Sequence, residues 1–128
     1  PSSKPDWVIN KVKIAIVDFL QANPDKTLRD MTIACYGLAF KPDIDDLRES
    51  PALAIVNKLA DLSVGRVIAV EPNIKNDTVL SVKVEYSSST SLIECADLHL
   101  VLVKHSVFEL GGFNVACNLI DVAGLLEL

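Results

Sequence analysis

Three short apolar runs, Met31 to Tyr36, Arg66 to Val70 and Leu98 to Val103, carry few polar residues at either alternate position. A strand apolar on both sides has to be covered on both sides, which is the situation of a parallel sheet packed between helices. Leu119 to Val122 is expected to be a last strand, and Val82 to Tyr86 a short one with Val82 and Val84 alternating.

Helical periodicity lies between these runs. Pro51 to Leu62 places Ala52, Ile55, Val56 and Leu59 on one face, and Val64-Gly65 closes it. Strand, loop, helix and strand in that order predict a right-handed crossover between parallel strands. Ahead of the first strand, Asp6 to Ala22 repeats Val8, Val12, Ala15 and Phe19 at helical spacing, widened by Ile9, Ile16 and Leu20. Asp6 is the expected N-cap and Asn23-Pro24-Asp25 the stop. Ser91 to Ala96 and Ser106 to Leu110 read as short helical pieces before Gly111-Gly112. The pattern predicts an α/β fold, a three-layer Rossmann-like domain with a mainly parallel sheet, divided into a connecting helix over 1–25 and the domain proper over 26–128.

With 128 residues the chain suits one domain. Its 17 acids against 12 bases give a net charge of −5, which argues against a broad nucleic-acid surface and requires any anion site to be local. No apolar run is long enough to span a bilayer, so a cytoplasmic protein with no membrane partner is expected. The three cysteines, Cys35, Cys95 and Cys117, are widely spaced in apolar or small-residue surroundings and read as buried reduced thiols rather than metal ligands or catalysts.

Polar chemistry concentrates between Tyr36 and Ala52. In an open parallel sheet ligands collect beyond the carboxyl ends of the strands. The segment Gly37-Leu38-Ala39-Phe40-Lys41-Pro42 leaves the first strand at such an end, and Glu71-Pro72-Asn73 and Lys104-His105 leave the second and third at the same edge. Gly37 permits close backbone approach, Ser50-Pro51 opens a helix, and Lys41 and Arg48 flank a cluster of acids, all of which suits a phosphorylated ligand. An independent dinucleotide site would need Gly-x-Gly-x-x-Gly before the helix, and only Gly37 is present. The long loop from Lys41 to Glu49 fits a ligand held partly by another surface.

The segment from Gly37 to Ala52, with Asp45, Asp46, Arg48, Glu49, Ser50 and Pro51 in fixed register, resembles the C-terminal, UDP-binding domain of the UDP-glucose/GDP-mannose dehydrogenase family. Lys4 to Lys11 and Val70-Glu71-Pro72-Asn73-Ile74 are most similar to its UDP-N-acetyl-D-mannosamine dehydrogenase branch, whereas UDP-glucose dehydrogenases typically carry Tyr-Asp-Pro at the second strand's end. The resemblance implies a piece of a larger cytoplasmic enzyme, a homodimer or higher, that uses NAD to oxidise the C6 alcohol of a UDP-sugar for surface polysaccharide synthesis. Its NAD-binding and central domains would lie upstream. None of the three cysteines matches the family's Gly-Gly-Ser-Cys nucleophile segment and the catalytic lysine belongs to the central region, so the piece alone is expected to be inactive.

By motif position, the resemblance assigns Phe40 and Lys41 to the nucleotide-sugar and Arg48 to NAD, at its diphosphate, where a guanidinium fork pairs with phosphate oxygens. The plainer reading of Lys41 is a solvated loop lysine; that of Arg48 is pairing with Asp45, Asp46 or Glu49. Asp45 and Asp46 read as loop-ordering acids, and His105 as a rim histidine bonded to a loop carbonyl. The family usually ends its last strand Asp-x-Lys/Arg-Gly, while this chain has Asp121-Val122-Ala123-Gly124. Loss of that charged hydrogen bond would cost on the order of 1.5–3 kcal/mol of binding unless Lys104 or another base substitutes. A UDP-glucose 6-dehydrogenase domain and a stand-alone nucleotide-binding or assembly module are the alternatives.

Overall fold

The computed structural model describes residues 4–38, 51–72, 83–88, 93–103 and 119–121. Helix α1 (Lys4–Ala22) leads through a 3₁₀ turn (Leu28–Asp30) into strand β1 (Thr32–Tyr36). Helix α2 (Pro51–Ala60), β2 (Arg66–Val70), β3 (Val84–Ser87), β4 (Leu98–Val101) and β5 (Leu119–Asp121) follow. The five strands form one sheet in the order β3-β2-β1-β4-β5, and every neighbouring pair is parallel. This is the expected α/β, Rossmann-like fold.

The apolar runs are buried on both faces because the pleat sends alternate residues to opposite sides. Ile33 and Cys35 of β1, Val67 and Ala69 of β2, and Leu98 and Leu100 of β4 meet α1 and α2 on one side. Ala34, Tyr36, Ile68, Val70 and Val101 form a second cluster on the other, joined by Ile93, Ala96 and Leu119. The α1 stripe is the predicted one: Val8, Ile9, Val12 and Ile16 are buried, with Ala15, Phe19 and Leu20 packed against them. On the outer face of α1, Trp7, Ile14 and Val17 are exposed. From α2, Ala52, Ile55, Val56 and Leu59 face the core as expected, and truncating Ile55 or Leu59 to alanine should cost about 2–5 kcal/mol. Among the described residues no helix is long and apolar enough to cross a membrane.

Several local expectations are corrected. Asp6 is not an N-cap: α1 begins at Lys4, a proline being tolerated in a first turn, and the Asp6 carboxylate instead pairs with Lys58 of α2. Helix α2 ends at Ala60, and the reversal is made by Ser63 at φ 65°, not by glycine. Gly65 serves close approach: its N–H donates to the Leu28 carbonyl at 3.2 Å, and a Cβ there would collide with the carbonyls of Arg29 and Met31. Ile93 to Ala96 is a turn rather than part of a helix, because the Ile93 N–H is drawn to the Tyr36 hydroxyl, 3.1 Å away. The third strong strand stops at Val101, short of the expected Val103. Cys35 is buried as expected, but Cys95 is exposed, with the Arg66 guanidinium 4.0 Å from its sulfur. Cys117 and the Ser106 to Leu110 piece lie outside the described residues.

Candidate functional site at the carboxyl rim

After β1 the chain moves outward to β2 and β3, then returns to lay β4 on the opposite flank of β1. The connections therefore diverge between the carboxyl ends of β1 and β4, where open α/β sheets bind ligands. Gly37 and Val103 meet at that point. The Tyr36 carbonyl accepts from the N–H groups of Leu102 and Val103 at 2.9 and 3.1 Å, tying the two strand ends together. Gly37 has φ +94°, and a Cβ placed on it would lie 2.6 Å from both Cβ and O of Val103. Glycine is required here twice over, by backbone conformation and by space.

The turn at Gly37 sets up the next contacts. Its N–H donates to the Val70 carbonyl at 2.7 Å, extending the β1–β2 ladder by one step. The following N–H, of Leu38, donates to Oε1 of Glu71 at 2.8 Å. Leu38 and Glu71 are both fully buried. Glu71 is also held from β3: its N–H donates to the Ser87 carbonyl at 2.9 Å, and the Tyr86 hydroxyl donates to its carbonyl at 2.7 Å. The exits of β1, β2 and β3 are thus fastened to one another through one acidic residue. The sequence places Glu71 at the exit of the second strand without assigning its carboxylate a partner. The available signal was an acid directly after four apolar strand residues and before a proline.

Below the rim, the Tyr36 hydroxyl and Nδ1 of His99 share a hydrogen bond of 2.7 Å, and the hydroxyl accepts from the Ile93 N–H. Burial pushes the Tyr36 phenol up to about 12 and lowers His99, with the Asp97 charge partly opposing the latter. Both groups are therefore neutral at physiological pH and serve as structure. Cys35, whose thiol burial also pushes to about 12, stays protonated and is no nucleophile. Away from the rim, a cavity of about 420 Å³ lined by Arg29, Ser63, Gly65 and Lys83 sits where α2 hands over to β2. That is the amino edge of the sheet, remote from the strand exits.

Phe40, Lys41 and Arg48 lie outside the described residues, as do Asp45, Asp46, Lys104, His105 and Ala123. What the structure places is the frame of their loop: its start at Leu38 and its end at Pro51, the first residue of α2. A helix returning between parallel strands has its N-terminus at the carboxyl rim, where its unpaired N–H groups favour an anion. The described residues thus supply a close-approach glycine, a helix start and a fixed loop origin, an arrangement suited to binding a ligand.

Comparison with known proteins agrees with this geometry. The family model of the UDP-glucose/GDP-mannose dehydrogenase family, UDP binding domain, matches residues 34–123. The chain is 43% identical over 107 residues to UDP-N-acetyl-D-mannosamine dehydrogenase of Yersinia pestis, covering 83% of this chain and 25% of that protein. It is 44% identical over 117 residues to the enzyme of the same name from Escherichia coli K12, covering 88% of this chain and 27% of that protein. The chain thus spans about a quarter of the length of these relatives. In fold it is similar to the solved UDP-D-ManNAc dehydrogenase from Pyrococcus horikoshii, with a TM-score of 0.61 and 23% identity over 88% of this chain and 24% of that one. With the family's model matching from the middle of β1 to beyond β5, the chain belongs to the UDP-glucose/GDP-mannose dehydrogenase family and represents its UDP binding domain.

Proposed function

We propose that this chain is the nucleotide-sugar-binding, C-terminal part of an NAD-dependent UDP-N-acetyl-D-mannosamine 6-dehydrogenase, with residues 1–25 as a connecting helix and 26–128 as the UDP-binding domain. The whole enzyme oxidises the C6 alcohol to a carboxylate in two hydride transfers through a thiol-bound intermediate, with NAD as hydride acceptor. The thiol and the catalytic lysine come from upstream domains. The observation that carries the reading is the departure of the motif-bearing segment from Gly37, at the point where the sheet's connections diverge. The names of the relatives favour the acetylmannosamine substrate over UDP-glucose.

Within that reading Phe40 and Lys41 contact the nucleotide-sugar, and Lys41 donates a charge-assisted hydrogen bond. Arg48 reaches the NAD held by the upstream domain, so the loop bridges an interdomain cleft. In the full-length protein Lys41→Ala should raise KM for UDP-N-acetylmannosamine roughly tenfold or more, since a hydrogen bond to a charged group contributes about 1.5–3 kcal/mol. Retained affinity in that variant rejects the Lys41 role. Steady-state rates on both nucleotide-sugars decide substrate identity, and a preference for UDP-glucose would move the chain to the other branch.

A further inference from the structure

We infer that Glu71 is a positioning residue for nucleotide-sugar binding: its buried carboxyl group holds the Leu38 N–H and so fixes the direction in which the Phe40–Lys41 segment leaves the sheet. The inference rests on the reading of that segment given above. Three anchors converge on the loop's origin. The Gly37 N–H is held by the Val70 carbonyl, the Leu38 side chain is buried in the helix-side core, and the Leu38 N–H is held by Glu71 at 2.8 Å. Glu71 is itself immobilised by Ser87 and Tyr86 of β3. Lys41 follows three residues after Leu38, so its Cα lies within about 11 Å of this fixed point. Over so short a span, the angle at the origin largely decides where the ammonium group can be presented.

Side-chain length is part of the device. Glu71 reaches from the end of β2 to a residue two positions beyond β1. Aspartate is one methylene too short to make the same bond. Glutamine keeps both the length and a carbonyl oxygen that accepts from Leu38, so this contact with Leu38 needs reach and not charge.

The test is steady-state kinetics of the full-length enzyme with UDP-N-acetylmannosamine varied at saturating NAD, on Glu71→Ala, Glu71→Asp, Glu71→Gln, Lys41→Ala and the Glu71→Ala/Lys41→Ala double variant. Glu71→Ala and Glu71→Asp are expected to raise KM about tenfold, with smaller changes in kcat, while Glu71→Gln stays within about threefold of the parent. In the Lys41→Ala background, Glu71→Ala should add less than about twofold, because the residue it positions is gone. If Glu71→Ala does not fold, the order of Asp and Gln and a Glu71→Asp/Lys41→Ala pair carry the same test. Parental KM in both Glu71→Asp and Glu71→Ala, Asp restoring function better than Gln, or the same KM increase with and without Lys41 overturns the inference. A parental KM in Lys41→Ala alone rejects the underlying reading of Lys41. In that case raised KM in Glu71→Asp but not Glu71→Gln still supports a positioned loop origin, and parental KM in both rejects it.

Discussion

The hydroxyl of Tyr36 and Nδ1 of His99 lie 2.7 Å apart beneath the carboxyl rim, with their rings stacked at a centroid separation of 5.8 Å. Because burial lowers His99 below its ordinary 6.5, the unfolded chain binds the proton first as pH falls. Its contribution to stability is full above 6.5 and is lost as pH falls through 6.5 toward the lower folded-state value. Urea titrations at about pH 7.5 and about pH 5.5 should show a smaller acid loss in His99→Phe than in the parent, and equal losses would reject the pairing's neutral state. Tyr36→Phe, which leaves both the Ile93 N–H and His99 Nδ1 without this oxygen, should cost about 1–3 kcal/mol at neutral pH.

Gly37→Ala faces two penalties at one site, a φ of +94° and a Cβ 2.6 Å from atoms of Val103. We expect a stability loss of about 1–3 kcal/mol from overpacking, with the positive φ adding to it. Val103→Ala should not rescue it, because alanine keeps both the Cβ and the carbonyl oxygen that stand 2.6 Å from the new methyl group. Full rescue in thermal denaturation would assign the effect to side-chain crowding alone.

Thiol labelling should separate Cys95 from Cys35. Cys95 is exposed on the turn before β4, whereas Cys35 is enclosed between the sheet and the helices, its thiol pushed to about 12 by burial. At about pH 8 only roughly one Cys35 in ten thousand is thiolate even before access is considered. Peptide mapping after brief alkylation of the native protein should find the label on Cys95 and on Cys35 only after denaturation. Early labelling of Cys35 would contradict the packing between β1 and the helices.

Arg48→Ala in the full-length enzyme is expected to raise KM for NAD about tenfold, and Arg48→Lys to recover only part of it because an ammonium cannot reproduce a two-pronged contact with phosphate. A change in the UDP-sugar KM alone would place Arg48 on the other ligand.

The parts of the fold legible in the sequence were those whose signal is local. Met31 to Tyr36 and Arg66 to Val70 read as strands because, past the exposed Arg66, apolar residues occupy both alternating faces, and the α1 stripe because its repeat of Val8, Val12, Ala15 and Phe19 admits one buried face. Long-range partners account for the misses. Asp6 left its capping role for Lys58 of α2, and the Ile93 turn follows from a hydroxyl on β1. The carboxylate of Glu71 went without a role because its partner is the Leu38 N–H, 33 residues earlier, and no local pattern reports that pairing. The segment from Phe40 to Arg48 takes its proposed roles from its motif alone, and it lies outside the described residues.

The position of β1 in the middle of the sheet has a consequence for how the chain is made. β2 reaches β1 across a single loop and helix, but β4 pairs with β1 across most of the domain, Ile33 beside Leu98. During synthesis α1, β1, α2 and β2 can assemble as soon as they emerge, leaving the other edge of β1 with open backbone groups until Leu98 to Val101 arrives. That interval, rather than any feature of the finished domain, is when this chain is most exposed to pairing with the wrong strand.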